Sequence, residues 1–189
     1  DAIESVLRQP FSDWELIIVD DHSPDTCGEI AERYAAQDPR IRVIHNAKNV
    51  YLAEARNIGI RAARGKYILP LDADDMLGDD ALGRLVRALD QDPALDMVTG
   101  SMEVLEENGR RWISQWPSAS TISYVAQINK QNQIPYASMY RREVWKRIGG
   151  YRRRMKSAED AELWTRAMSY GFIAKKVTEA PTLIYRNRA

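Results

Sequence analysis

The acidic run Asp72-Ala73-Asp74-Asp75 is the part of this sequence that points most directly to chemistry, and it follows the apolar residues 67–71. Three carboxylates within four residues repel one another unless a cation neutralises them. Mg2+ and Mn2+ take oxygen ligands from one or two carboxylates and complete their coordination with phosphate and water, so a metal-held phosphate is one interpretation. A solvated turn in which an aspartate caps the next helix is the other.

A second acidic run, Asp20-Asp21-His22-Ser23, follows another apolar segment, residues 14–19. In open α/β sheets, ligands bind beyond the carboxyl ends of the strands. Both acidic runs come at such ends, so we expect them at the same edge of the sheet. Simple capping of the following helix is the alternative for this second run.

A third acidic site, Glu159-Asp160, comes after Gly149-Gly150-Tyr151 and opens a predicted helix over residues 158–170. Ser157 is the candidate N-cap, and acids in a first turn are favoured by the helix dipole. A carboxylate fixed at a helix start also suits a general base, because it can be held rigidly over a cleft. The pattern leaves both interpretations open.

The elements that must position these residues alternate between strand and helix in the first half of the chain. Apolar strands alternating with helices are typical of a parallel sheet covered on both faces. The strands are predicted at residues 14–19, 41–45 and 67–71, and the helices at 2–9, 26–37, 52–63 and 81–89. Because the chain opens in a helix, the first strand of such a sheet is expected to be missing from this sequence.

The second half is less regular. Two strands are predicted either side of the turn Glu107-Asn108-Gly109. The predicted strands are 97–105, 112–116, 138–140, 172–177 and 182–186, and the helices are 122–129, 143–148 and 158–170.

Composition indicates a single globular domain. The chain has 189 residues, 44% hydrophobic and 29% charged, with a net charge of zero. Bases are concentrated between Arg141 and Lys156, which we call the basic stretch. It is either a solvated face, a site for an acidic or lipid-diphosphate acceptor, or a contact with an anionic membrane. Nucleic acid is not an expected partner, because no recognition motif accompanies this stretch.

The single cysteine, Cys27, cannot form an internal disulfide, which favours a reducing cytosol. No apolar stretch of ~20 residues is present, so the sequence predicts no spanning helix. The expected location is cytoplasmic, with the basic stretch as a possible contact with the inner face of the membrane.

Taken in order, these segments resemble the family 2 glycosyltransferases of GT-A fold. The similarity extends over nearly the whole chain. It is carried by residues 2–7, 15–25, 53–59, 63–68 and 72–75, the run Arg141-Arg142-Glu143-Val144-Trp145, Gly149-Gly150-Tyr151, and Glu159-Asp160 with Leu163-Trp164. His22 stands where many members have glycine.

The resemblance implies an α/β, Rossmann-like nucleotide-diphospho-sugar transferase fold with a mixed sheet, mainly parallel in its N-terminal half and flanked by helices. Residues 1–100 would bind the nucleotide-sugar and metal, and residues 101–189 the acceptor. The implied reaction transfers a sugar from a nucleotide-diphosphate sugar, with UDP as the expected nucleotide, to a saccharide or lipid-linked acceptor. The anomeric centre is inverted, and the implied role is in bacterial cell-surface polysaccharide biosynthesis.

The resemblance also implies roles for individual residues. Asp20, Asp21, Ser23, Arg56 and Asp72 would bind the nucleotide-sugar. Mn2+ or Mg2+ would be held by the DXD-type residues Asp74, Asp72 and Asp75, with Asp75 supporting. Asp160 would be the catalytic base and Glu159 its orienting neighbour.

Two other classes of protein compete with this interpretation. One is a binding-only or inactive GT-A domain without a complete donor pocket. The other is a phosphorelay receiver domain, which also places acidic residues after two strands around Mg2+. The Asp-x-Asp-Asp form, the lack of a later Lys-Pro and the 80 or so further residues argue against the receiver. Trp112 and Trp116 are candidate platforms for sugar rings.

Overall fold

The computed structural model describes residues 1–114, 122–131, 134–153 and 155–187. The helices are α1 Ala2–Leu7, α2 Cys27–Ala35, α3 Leu52–Ala62, α4 Ala81–Gln91, α5 Tyr124–Ala126 (continuing as a π-helical turn at Gln127–Gln131), α6 Arg142–Ile148 and α7 Glu159–Ser169. The strands are β1 Leu16–Asp20, β2 Ile41–His45, β3 Tyr67–Ile68, β4 Met76–Leu77, β5 Met97–Glu106, β6 Arg111–Ser114, β7 Met139–Arg141 and β8 Ala174–Asn187.

The strands form two hydrogen-bonded sheets. β1 pairs with β2 in parallel, and the larger sheet has the order β3-β7-β5-β8-β4, with β6 also on β5. Among the described strands of the larger sheet, the long β5–β8 pair is parallel and the other pairs are antiparallel. The starts of β1 and β3 lie side by side, because Glu15 Oε1 accepts hydrogen bonds from the backbone N–H groups of Arg64 (2.5 Å) and Gly65 (2.9 Å).

Helices cover both faces of the larger sheet, as the alternation of side chains along its strands shows. Met97 and Tyr140 pack in one core cluster with α3, α6 and α7, whereas their neighbours Val98 and Met139 pack in another with α1 and α4. Successive residues of a strand point to opposite faces, so the two clusters are separated by the sheet. The Tyr140 and Trp164 rings meet edge to face at 5.3 Å in the first cluster.

The prediction of an α/β fold with helices flanking a mixed sheet is confirmed, but several elements differ. β3 ends at Ile68 and pairs antiparallel with β7, so the predicted parallel strand 67–71 is wrong in length and direction. Pro70 has no backbone N–H to donate to a neighbouring strand, which explains why β3 ends early. β4 was not predicted, and the predicted strands 172–177 and 182–186 are one strand, β8, with an irregularity opposite Thr99–Ser101.

Smaller differences occur at the ends of elements. The helix predicted at 122–129 is only α5 and its π-helical turn, and of the strand predicted at 112–116, residues 115 and 116 lie outside the described residues. Ser157 is not an N-cap: Ala158 occupies that position in the left-handed region (φ 56°), and no side chain of the described residues caps the helix. The remaining predicted elements agree to within about two residues at most ends.

Candidate active site

Arg56 links two of the three acidic segments found in the sequence. Its Nη1 lies 2.5 Å from Glu159 Oε1 and its Nη2 lies 2.7 Å from Asp72 Oδ1, and its side chain is only 9% exposed. We call these three residues the Arg56 clamp. It joins α3, the loop after β3 and the start of α7, and so brings together three segments that are distant in the sequence. Arg56 is therefore engaged by two carboxylates of the protein.

Two tyrosines enclose the guanidinium of Arg56. Its Cζ atom is 5.2 Å from the centre of the Tyr136 ring and 5.6 Å from that of Tyr151. Aromatic faces attract a cation, and their bulk excludes water from the ion pairs. Burial raises the pKa of Tyr151 to about 12, so its hydroxyl is neutral at physiological pH. Sequence reasoning did not identify Tyr136, because an isolated aromatic residue in an irregular segment has no spacing signal.

The Gly149-Gly150-Tyr151 turn is fixed to α3 by Asn57, the neighbour of Arg56. Asn57 donates to the Tyr151 carbonyl (2.8 Å), and its Oδ1 accepts from the Tyr151 N–H (2.9 Å) and Trp145 Nε1 (3.1 Å). Gly150 has φ 76°, and a Cβ there would lie 2.7 Å from Asn57 Oδ1. Glycine is required at this position both for its backbone conformation and for space.

Asp75 anchors the segment Asp72-Ala73-Asp74-Asp75 after β3, which we call the acidic loop, to the interior of the protein. Only 2% of the residue is exposed. Its Oδ2 accepts from the Tyr136 hydroxyl at 2.5 Å and its Oδ1 from the Arg186 N–H at 2.8 Å. Burial raises the pKa of Asp75. Both carboxylate oxygens are therefore used to hold the loop against β8 and Tyr136.

Asp74 differs from its neighbours because it is exposed and has no hydrogen-bond or ion-pair partner among the described residues. Burial raises the pKa of Asp72, and the negative charge of Asp74 acts in the same direction. The described part of the chain contains no preassembled group of three or more acidic, histidine or cysteine ligands. Mg2+ and Mn2+ do not require one, since one or two carboxylates together with phosphate and water suffice. A free carboxylate at Asp74 beside Asp72 fits an ion brought in on a diphosphate.

Asp160 lines a cavity of about 210 Å³ next to the clamp. The other lining residues are Met102, Pro135, Tyr136, Leu183 and Tyr185. Burial raises the pKa of Asp160, and the negative charge of Glu159 acts in the same direction. A carboxylate with a raised pKa at the wall of a cavity has the properties of a general base.

Asp20, Asp21 and Ser23 form a separate cluster at the end of β1. Asp20 accepts from the Ser23 N–H (3.0 Å) and contacts His45 Nδ1 (2.9 Å). These hydrogen bonds, from Ser23 first, hold the pKa of Asp20 below its usual range. Neither aspartate caps α2, since the Cys27 N–H bonds to Asp25 instead. In the described residues no hydrogen bond or ion pair joins this cluster to the Arg56 clamp.

Asp21 connects the same cluster to α3. It accepts from Asn46 Nδ2 at 2.8 Å and from the Val50 N–H at 2.9 Å, just before the helix that carries Arg56 begins. The nucleotide-binding role of Asp20, Asp21 and Ser23 stays a prediction.

Much of the basic stretch is engaged within the protein. Arg141 donates to the carbonyl of Leu89 in the last turn of α4 (2.6 Å) and to that of Leu95 in the loop after it (2.9 Å). Four further bases pair with protein groups: Arg142 with the Ala63 carbonyl, Lys146 with Glu143, Arg152 with Glu162 and Arg153 with Glu54. Arg154 lies outside the described residues. A membrane or acidic acceptor contact remains a prediction.

Within the described ranges, no helix is long and apolar enough to cross a membrane. Cys27 is a free, exposed thiol whose hydrogen bond to Asp25 raises its pKa. A thiol held protonated in this way is a poor nucleophile.

Residues 1–149 match the family model described as glycosyl transferase family 2. The chain belongs to this family. It is 37% identical over 155 residues to the uncharacterized glycosyltransferase EpsJ of Bacillus subtilis, covering 82% of this chain and 44% of that protein. It is 34% identical to the putative glycosyltransferase EpsE of the same organism, covering 95% and 65%. The glycosyltransferase prediction is confirmed at the level of the family, and the receiver alternative is wrong.

Solved structures share the fold. TarS of S. aureus in complex with UDP has a TM-score of 0.78 at 20% identity, covering 98% of this chain and 55% of that chain. TarS in complex with UDP-GlcNAc has a TM-score of 0.77 at 20% identity, covering 100% and 54%. The GT-A fold is therefore confirmed. This family 2 chain spans less than two thirds of the relatives named here, from 44% to 65% of their length.

The raised pKa of Asp160 predicts how stability depends on pH. A carboxyl whose pKa is higher folded than unfolded binds more protons in the folded state, so it adds stability as the pH falls through the folded pKa. The wild type should therefore gain stability relative to Asp160→Asn as the pH is lowered from 7 towards 4. Urea unfolding of both proteins across this range measures the difference, and an opposite trend would contradict the raised pKa.

Proposed function

We propose that this domain catalyses the metal-dependent transfer of a sugar from a nucleotide-diphosphate sugar, with UDP as the favoured nucleotide, to a hydroxyl group of a saccharide or lipid-linked acceptor. The observation that carries the proposal is the position of Asp160, a carboxylate with a raised pKa at a cavity wall, next to the clamp and the acidic loop.

In this reaction Asp160 removes the proton of the acceptor hydroxyl as its oxygen attacks the anomeric carbon of the donor. The bond from that carbon to the nucleoside diphosphate breaks in the same displacement. A single displacement with one base inverts the anomeric centre. Glu159 is held by Arg56 at 2.5 Å and fixes the first turn of α7, so it positions Asp160 for proton transfer.

Asp74, assisted by Asp72, is proposed to hold Mn2+ or Mg2+ on the donor diphosphate. When bound, the ion stabilises the charge that develops on the leaving group. The chain's own contribution is to fix Asp72 through Arg56 and to hold the loop through Asp75. These contacts fix the backbone on both sides of Asp74, whose carboxylate stays exposed and available to the ion.

The donor and the biological role draw support from similar proteins. The TarS structures contain UDP and UDP-GlcNAc, which favours a UDP-sugar for this chain. Shorter matches include a putative colanic acid glycosyl transferase, WcaA of Escherichia coli (50% identical over 76 residues), and a putative teichuronic acid glycosyltransferase, TuaG of Bacillus subtilis (42% over 82 residues). We therefore propose a role in bacterial polysaccharide biosynthesis, at a cytoplasmic location.

Asp74→Ala tests the metal assignment. The variant should lose Mn2+-dependent UDP binding while keeping its fold, because removing an exposed, unpaired carboxylate relieves repulsion in the free protein. UDP titration by thermal shift, with and without Mn2+, measures the effect, since bound ligand raises the melting temperature. Asp79 is the matched control, because it is also exposed and has no partner among the described residues.

Asp79→Ala should bind UDP with the Mn2+ dependence of the wild type. Unchanged Mn2+ dependence in Asp74→Ala would show that the assignment is wrong. Intact UDP binding without transfer to any acceptor would instead favour the binding-only alternative.

A further inference from the structure

Two exposed aromatic side chains, Trp112 and Tyr185, lie in one row across the larger sheet. Both are in register with Val104 of β5, Trp112 from β6 and Tyr185 from β8. Residues directly opposite one another in a sheet project from the same face. Adjacent strands are ~4.8 Å apart, so the two aromatic residues are roughly 10 Å apart with Val104 between them. We call this row the aromatic strip.

The aromatic strip continues into the cavity of Asp160. The next row on the same face contains Met102 and Leu183, two residues before Val104 and Tyr185. Met102, Leu183 and Tyr185 all line that cavity together with Asp160. One row follows the next at about 7 Å along a strand. Tyr185 therefore belongs to both surfaces, and a ligand lying on the strip would reach Asp160 at its end.

The exposure of the strip is not explained by packing. Trp112 is 44% exposed and Tyr185 is 40% exposed, whereas Val104 between them is buried. Neighbouring large apolar groups exposed beside a cleft mark a binding surface more often than isolated ones do. Their size and rigidity suit contacts that cost little conformational entropy.

The charge of the strip distinguishes between classes of ligand. Among the described residues, those paired in the rows through Met102 and Val104 are uncharged, because Glu103 and Arg111 are in the alternate rows and project from the other face. An anionic membrane surface would be expected to meet lysine or arginine side chains. A neutral sugar ring has an apolar C–H face and a rim of hydroxyl groups. The C–H face can pack on an aromatic ring while the hydroxyl groups remain in contact with water.

We propose that Trp112 and Tyr185 are specificity-determining residues that stack on sugar rings of a neutral saccharide acceptor. The acceptor lies along the aromatic strip, and its terminal hydroxyl enters the cavity of Asp160. A separation of roughly 10 Å between the aromatic residues exceeds the length of one sugar ring, so the acceptor is an oligosaccharide rather than a single sugar. This inference rests on the proposed function and specifies its acceptor class.

Saccharide binding can be tested without catalysis. Saturation-transfer NMR of the full-length protein with β-linked tetrasaccharides of glucose, galactose and N-acetylglucosamine should show binding of at least one. Trp112→Ala and Tyr185→Ala should each weaken that binding about three- to tenfold, with the phenylalanine variants retaining most of it. Ile113→Ala is the matched control, because Ile113 is similarly exposed but is in register with Glu103 and projects from the opposite face.

UDP binding should be the same in the Trp112 and Ile113 variants, since β6 pairs with β5 and not with β8, the strand that holds Asp75. The inference is overturned if no tetrasaccharide binds, or if Ile113→Ala weakens binding as much as Trp112→Ala. It is also overturned if the wild type binds vesicles of phosphatidylglycerol and phosphatidylcholine and Trp112→Ala abolishes that binding. A failure of the proposed function looks different: the tetrasaccharide binds through the strip, but UDP-sugar binding and transfer are absent.

Discussion

Replacing Asp160 with asparagine should reduce sugar transfer by about 10²–10⁴-fold, the usual contribution of a general base. Asparagine keeps the shape and hydrogen-bonding capacity of the side chain but cannot accept the acceptor proton. Asp160 lines the cavity, whereas Asp74 and Asp72, which are proposed to hold the metal on the donor, lie in the loop after β3, so donor affinity should change little. Initial rates with a UDP-sugar and acceptor, together with UDP titration, measure both quantities in the full-length enzyme.

The first turn of α7 also supplies the control for this experiment. Glu162 is in the same turn and bonds to Arg166 and Arg152 rather than lining the cavity. Glu162→Gln changes the charge at the helix start by the same amount, and its side-chain oxygen can still accept a hydrogen bond from Arg166. Its transfer rate should stay within about threefold of the wild type. If Asp160→Asn behaves in the same way, Asp160 is a helix-start residue and not the base.

Arg56→Ala should lower the free energy of unfolding by about 3–5 kcal/mol, because it leaves Asp72 and Glu159 without their common cation in a buried setting. For a domain of this size, such a loss corresponds to roughly 6–20 °C in melting temperature. The loss should become smaller as the pH falls, since burial raises the pKa of Asp72 and its protonation removes that uncompensated charge. Urea unfolding at neutral and mildly acidic pH provides the measurement.

Arg61 provides the comparison on the same helix. It pairs with Glu54 at 2.7 Å but is 43% exposed, and Glu54 keeps Arg153 as a second partner at 3.0 Å. Arg61→Ala should therefore cost only about 0–1 kcal/mol. Equal losses in the two variants would mean that Arg56 stabilises the protein through general helix effects and not through the clamp.

The parts of the fold that were readable from the sequence are those with long apolar patterns. β2 was predicted with its observed ends, and α3 to within one residue. β4 was not predicted, because a strand of two residues is too short to show a repeating hydrophobic pattern. The direction of β3 also could not be predicted, since its antiparallel partner β7 lies about 70 residues further along and is only three residues long.

The site was predictable by residue type but not by pairing. The acids of the loop and of α7 were found because carboxylates cluster at element ends. Arg56 was expected to reach a nucleotide, and the structure pairs it with Asp72 and Glu159. Asp75 accepts hydrogen bonds from the Tyr136 hydroxyl and the backbone N–H of Arg186. The second partner could not be predicted from the sequence, because every residue except proline offers a backbone N–H.

The Arg56 clamp has a consequence for the order of events during folding. Arg56 meets Glu159 across 103 positions of the chain, and Asp75 meets Arg186 across 111. Contacts between such distant segments close large loops and are slow to form. During synthesis, a ribosome-bound chain would carry Arg56 and Asp75 without these partners until the last fifth of the domain emerges. The candidate active site is therefore among the last parts of the domain to form, after helices such as α3 and α4 have formed locally.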